Sequence, residues 1–203
     1  MFRTSVPVLM ACALPLGAVA AESYEFDAAH SFAHFSVVHL GMSTIHGRFD
    51  RVSGKLTLDR SAKTGDLVVK VATASLNTGD PKQESGSLVS KANGPRSRDE
   101  TLRSGDFFNV AEFPDATFKS TRFNFSGDSL ESVDGTLTLL GATKPIKLTV
   151  TQFRCGPHPF NKKEMCGADA VAQFKRSDFG MKSGLTAISD EVKVTFDVEA
   201  YKQ

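Results

Sequence analysis

Four of the chain's five histidines lie between residues 30 and 46, in the run HSFAHFSVVH (His30, His34, His39) and then at His46. Imidazoles this close together raise two chemistries, a metal centre and general acid–base catalysis. Spacing argues against a three-histidine metal site. In an extended strand from Ser31 to His39, odd positions share one face and even positions the other, so His30 and His34 lie away from His39. They are also roughly 13 Å apart along the strand at about 3.3 Å per residue, too far to share one ion. A metal-dependent enzyme using His39 and His46 is left as an alternative. It needs the Leu40–Ser43 turn to fold the two together and carboxylates from elsewhere in the chain. Nucleophilic catalysis has less support, because there is no G-x-S-x-G elbow. A third reading of His39 is a single polar contact in an otherwise apolar wall, the way pockets for greasy ligands fix orientation.

The cysteines bear on compartment and on chemistry together. Residues 1–21, MFRTSVPVLMACALPLGAVAA, carry one charge at Arg3, an apolar middle, and small residues at Ala18 and Ala20. This predicts a cleaved export signal and a periplasmic mature protein. A lipid-attachment reading of Leu9–Cys12 leaves almost no hydrophobic region before the cysteine, and Pro7 and Pro15 interrupt a run too short for a spanning helix. Cys12 leaves with the signal. Cys155 and Cys166 then bracket GPHPFNKKEM and, in an oxidising compartment, read as a local disulfide closing a loop; with His158 they match no common zinc spacing. No free thiol remains as a nucleophile.

Without Arg3 the mature chain has equal numbers of basic and acidic residues. That balance excludes a nucleic-acid footprint and bulk attraction to anionic lipid. About 180 residues remain, residues 22–203, enough for one domain with a sizeable core.

The elements that hold these residues are read from a period of two. In EVKVTFDVEAY, Val192, Val194, Phe196, Val198 and Ala200 alternate with Lys193, Thr195, Asp197 and Glu199. LVVKVATASL and KPIKLTVTQF repeat the pattern, and HSFAHFSVVHL, Thr44–Phe49, GKLTLD, ATFKSTRFNF, GTLTLLG and ADAVAQFKR are further strands. Gly79 to Val110 breaks it: a long polar loop with one or two short helices, at Arg98–Ser104 and Asp106–Asn109. About eight strands, each with one apolar face, close as a sandwich or a barrel. Ala168, Ala170, Ala172 and Gly135 favour a barrel with space inside, unless the 16 phenylalanines fill it.

The stretch DAAHS (Asp27–Ser31) with FSVVHLGMSTIHGRF (Phe35–Phe49) resembles the opening of the YceI-like family. The likeness continues through TLRSGDFFNVAEFPDATFKS (Thr101–Ser120), GTLTLLGATKPIKL (Gly135–Leu148), RSDFG (Arg176–Gly180) and DEV (Asp190–Val192). The resemblance implies a mainly β, extended, antiparallel lipocalin-like barrel that binds a long apolar molecule such as a polyprenyl chain, a quinone tail or a fatty amide. It implies no enzyme activity, no metal and no cofactor beyond the bound lipid, and a membrane redox partner is compatible with it. The segment from Thr78 to Asp99 is longer than the family's usual link, and the Cys155–Cys166 loop is not general to the family. Phase and resemblance together place Phe35, Val37, His39, Ile45, Phe49, Val69, Val71, Phe118, Leu137, Ile146, Leu148, Phe174, Val194 and Phe196 on the cavity wall. Leu102, Phe107 and Phe108 pack on it from the helical segment. His39, Arg103 and Arg176 are head-group candidates. A structural or stress-response partner protein, with outward Phe32 and Val38 forming a homodimer or partner surface, is the remaining alternative.

Overall fold

In a computed structural model that describes residues 21–80 and 97–203, the period-two segments form one antiparallel sheet of eleven strands. They are β1 (Glu22–Phe26), β2 (Phe32–His39), β3 (Ser43–Phe49), β4 (Val52–Asp59), β5 (Thr64–Ala72), β6 (Leu76–Asn77), β7 (Asp115–Ser126), β8 (Ser129–Leu139), β9 (Ala142–Pro157), β10 (Glu164–Lys175) and β11 (Glu191–Lys202). Eight of them, in the order β1-β4-β5-β7-β8-β9-β10-β11, close into a barrel through pairing of β1 with β11. Closure hides both the apolar face and the sheet edges. The predicted signal segment, apart from Ala21, and residues 81–96 of the long loop lie outside the described residues.

Two strands were not anticipated. β1, ESYEF, has a single buried apolar residue, Tyr24, between glutamates. It is a strand because β4 pairs with one edge and β11 with the other. β6 is two residues long and pairs with Arg48 and Phe49 of β3; the strand expected over LVVKVATASL ends at Ala72 and is broken by a 3₁₀ turn at Thr73–Ser75 before Leu76 enters β6.

β11 has two successive partners along one edge. Its C-terminal part pairs with β1 (Phe26↔Ala200) and its N-terminal part with β2 (Ala33↔Phe196, Phe35↔Val194). The DAAHS segment makes this hand-over. Asp27 N donates to the Glu199 carbonyl, and the buried Ser31 hydroxyl donates to that carbonyl while accepting from Glu199 N. The ladder is thereby continued where its regular pairing is interrupted.

At one end of the barrel, the 60–63, 127–128 and 158–163 turns surround an interior packed by Tyr24, Leu56, Leu58, Cys166 and Ala200, with Phe26, Phe123, Phe125 and Phe153 against them. Cys155 and Cys166 face each other across β9 and β10 with Cα atoms 4.0 Å apart and form a disulfide. It staples the hairpin whose turn belongs to this end. At the other end, β2 and β3 project past the ring. The wall beside β3 is completed by β6, a six-residue helix α1 (Arg98–Arg103) and the turns that follow it. The second expected helix, Asp106–Asn109, is instead a succession of turns. Phe107 N donates to the Ser104 carbonyl and Phe108 N to that of Leu102, and Asn109 sits at φ 43°. A left-handed residue cannot propagate a right-handed helix.

Candidate functional site

The half of the barrel remote from the packed end encloses a cavity of about 1160 Å³. Its deep wall is apolar: Ala33, Phe49, Val71, Ala116, Phe118, Leu148, Ala172 and Phe196. Register explains why these side chains meet. Ala33 pairs with both Phe49 and Phe196, and Ala172 pairs with Val194, so each cross-strand couple points inward together. Of the seventeen residues expected on the cavity wall or packed on it from the helical segment, sixteen line the cavity. Val69, placed there by phase, instead packs in the buried cluster beside its cross-strand neighbour Phe118 and does not line the cavity.

The small residues divide. Ala172 lines the cavity, whereas Ala168 and Ala170 do not, Ala170 packing in the buried cluster instead. At Gly135 the space is already taken: an added Cβ would stand 2.4 Å from the Phe118 ring. Gly47 is occupied in the same way, with the ring of its partner Phe35 lying 2.3 Å from where a Cβ would be. The phenylalanines therefore fill the packed end and the space over these two glycines, and stop short of filling the remainder.

α1 is held by polar contacts on its outer side. Ser97 caps it, accepting from Glu100 N at 3.1 Å, while Ser97 N donates to the Glu100 carboxylate at 2.7 Å. Asp99 accepts from Thr78 N and Oγ1. The Arg103 guanidinium donates through Nε to the Ala74 carbonyl at 3.0 Å, donates also to the Leu76 carbonyl, and lies 3.8 Å from Asp99. Arg103 thus ties the helix to β6 and is not on the cavity wall. This leaves Leu102, Phe107 and Phe108 as the inner surface, with Phe108 edge-on to Phe49 at 5.4 Å.

Arg176 reaches the wall but is also committed. It is 3% exposed and opens a 3₁₀ turn (Arg176–Phe179) between β10 and β11. Its guanidinium donates to the carbonyls of Met181, Ser183, Ile188 and Ser189 at 2.7–3.1 Å. One side chain therefore organises the whole 181–189 loop. Burial pulls its pKa down, opposed by Asp190, whose own pKa is lowered by donation from the Ser177 hydroxyl and amide. Sequence reasoning missed these carbonyls, because a loop wrapped on one arginine leaves no periodic signal.

The polar lining groups Ser43, Asp80, Arg98, Thr101 and Thr186, together with His39, cluster towards the open end, and Arg98 lies 3.6 Å from Asp80. The 40–42 turn and the 184–188 loop form one rim: Leu40 N donates to the Ala187 carbonyl, and His39 bridges Ile188.

The pairing of β2 with β3 separates His39 from His46. His39 opposes Ser43 and faces the cavity, whereas His46 opposes Ser36 on the outer face. The sheet stands between them, so the hairpin does not assemble the two-histidine site considered above. Among the described residues, one group of three metal-capable side chains comes together, Asp27, His30 and Glu199. It sits outside the barrel, and hydrogen bonding accounts for its geometry. His30 Nδ1 is 2.7 Å from Asp27 Oδ2, which raises the histidine's pKa and lowers the aspartate's. Outward Phe32 is covered by Arg48, 5.2 Å from its ring centre, and Val38 is exposed.

A closed antiparallel barrel, packed solid at one end and hollow and greasy at the other, is a container for an apolar molecule in form. The chain belongs to the YceI-like family: the YceI-like domain matches residues 24–200. It is 35% identical over 190 residues to a UPF0312 protein of Pseudomonas aeruginosa, covering 92% of this chain and 91% of that one. It is 34% identical, with the same coverage, to Protein YceI of Escherichia coli O157:H7. Among solved structures, a YceI protein of Campylobacter jejuni superposes with a TM-score of 0.61 at 26% identity, covering 82% of this chain and 90% of that one. A polyisoprenoid binding domain from Saccharophagus degradans has a TM-score of 0.57 at 21% identity, covering 90% and 99%, and shares the fold.

Proposed function

We propose that this chain is an exported, periplasmic binding or carrier protein that holds a long apolar molecule, of the polyprenyl, quinone-tail or fatty-amide kind, inside the barrel. The observation that carries the reading is the 1160 Å³ cavity with an unbroken apolar deep wall. At about 30 Å³ per carbon-sized group, it takes on the order of 40 heavy atoms. Each five-carbon unit gains roughly 4 kcal/mol at ~0.8 kcal/mol per buried CH₂-like group, before the costs of ordering it. Affinity then comes from chain length, and few polar contacts are needed. A neighbour of the same fold described as polyisoprenoid binding agrees with this choice of ligand class.

The tail enters first and the head stays at the rim, because the polar lining groups gather there. His39 is the candidate for orienting the head. Arg176 reaches it only by giving up carbonyls of its own loop. The reading requires no bond to be made or broken, and so no enzyme. Delipidated protein titrated with isoprenoid alcohols of increasing length tests it: affinity rises with each unit and then levels off as the cavity fills. Affinity independent of length refutes it.

A further inference from the structure

The rim of the cavity carries its own signal. The β2–β3 and β8–β9 hairpins both turn at this end of the barrel on a Leu-Gly pair at positive φ, Leu40 (52°) with Gly41 (69°) and Leu140 (50°) with Gly141 (74°). Turns of this kind favour Asn, Asp or Gly at the first position, and a left-handed leucine is strained there. In water, asparagine would suit both the backbone and the solvent better. Strain of this sort persists where the side chain serves another purpose. At the β2–β3 hairpin it presents an apolar tip, Leu40 being 60% and its neighbour Met42 88% exposed, whereas Leu140 is half-buried. Leu185, in the loop that hydrogen-bonds to the Leu40 turn, is exposed as well. Exposed lysines stand close to the tips, Lys144 beyond the Leu140 turn and Lys182 ahead of Leu185, and neither has an ion-pair partner among the described residues.

We infer that this rim docks on a phospholipid bilayer, inserting Met42 and Leu185 at the interface so that the cavity opens against the membrane. The inference rests on the proposed function, because an apolar ligand of this size resides in a membrane and crosses water only at great cost. Continuity with the cavity selects a bilayer as the occupant: Leu40 belongs to the cavity wall and to the exposed tip at once. A ligand passing between bilayer and barrel over such a rim stays on apolar surface throughout. The lysines suit this placement, since their stems lie along apolar surface while the ammonium groups reach headgroup phosphates.

The test uses vesicles of phosphatidylethanolamine with phosphatidylglycerol, the full mature chain, and the variant M42D/L185D. Neither position lines the cavity, and both side chains are exposed. The wild type floats with the vesicles, and the double variant partitions about a hundredfold less. The variant also acquires a fluorescent polyprenyl probe more slowly from vesicles, yet binds it with unchanged affinity when the probe is supplied in detergent micelles. Equal flotation of the two proteins, or no flotation of the wild type, overturns the docking. A dimer in solution that M42D/L185D dissociates shows instead that a second copy covers the rim, and overturns it also. Failure of the micelle arm for the wild type refutes the cavity reading itself, which separates the two outcomes.

Discussion

Ala172→Phe separates a hollow barrel from a packed one. Ala172 is 4% exposed, points inward opposite Val194, and lies on the cavity wall. In a solid core, six added ring carbons overpack the site and cost about 1–3 kcal/mol. Here they enter open space. At about 30 Å³ per carbon-sized group they occupy roughly 180 Å³, less than a fifth of the 1160 Å³ present. The free protein gains burial of an aromatic ring, so its melting temperature holds or rises. The ligand pays the cost. Excluding about six of its carbons removes up to roughly 5 kcal/mol at ~0.8 kcal/mol each, and withdrawal of the tail towards the rim recovers part of that. A net loss of about 3 kcal/mol, on the order of a hundredfold in affinity, is the expected result. Thermal unfolding of delipidated protein and titration with an isoprenoid alcohol measure the two sides. A variant that melts well below the wild type while binding as before would falsify the reasoning, because it would mean that Ala172 faces a filled core.

Arg176→Met leaves the carbonyls of Met181, Ser183, Ile188 and Ser189 without their donor, so stability falls by about 3 kcal/mol or more; hydrogen exchange should localise the change to residues 181–189. Gly47→Ala drives the Phe35 ring off its seat, with a cost of about 1–3 kcal/mol and a smaller ligand capacity, read by melting and lipid titration. Glu22 is held down to about 2 by donation from Lys202, then Tyr24 and Arg60, whereas Tyr24 is pushed up to about 12 by burial and by Glu22. The depressed carboxylate contributes stability that is complete above its unfolded pKa near 4.5 and is lost as pH falls towards 2. The raised phenol contributes stability that is lost as pH climbs from 10 through 12. Glu22→Gln flattens the acid limb of a plot of melting temperature against pH; an unchanged acid limb contradicts the assignment. Removing the Cys155–Cys166 bridge with serines costs about 3 kcal/mol by loop entropy and leaves lipid affinity unchanged, since the bridge belongs to the packed end.

The barrel was legible because strand phase is a local property. Each of Phe35, Val37, Ile146, Leu148, Val194 and Phe196 declares its face by its neighbours, and the structure has all of them facing inward on the cavity wall. The same parity rule decides His39 against His46 once the hairpin register is known. The register depends on the Leu40–Gly41 turn, which the sequence shows only as a turn signal. β1 was illegible because ESYEF is stabilised by what pairs on either side of it and by the Lys202 and Arg60 contacts to Glu22. Long-range partners of that kind have no local signature. Arg103 and Arg176 show the same limit at the site: a charge near an apolar pocket reads as a ligand contact until the carbonyls that hold it are seen. Glycine misleads in the opposite way, since Gly135 reads as empty space and proves to be a seat for Phe118.

The central claim is that the hollow half of the barrel holds a long apolar molecule. Its most direct test is native mass spectrometry of the protein purified from an exporting bacterial host without detergent, followed by organic extraction and identification of what is released. The account predicts one extractable lipid of on the order of 40 heavy atoms per chain, reduced in mass or yield in Ala172→Phe. A chain that is consistently free of lipid from such a host, and that binds none when offered isoprenoid alcohols, would contradict it.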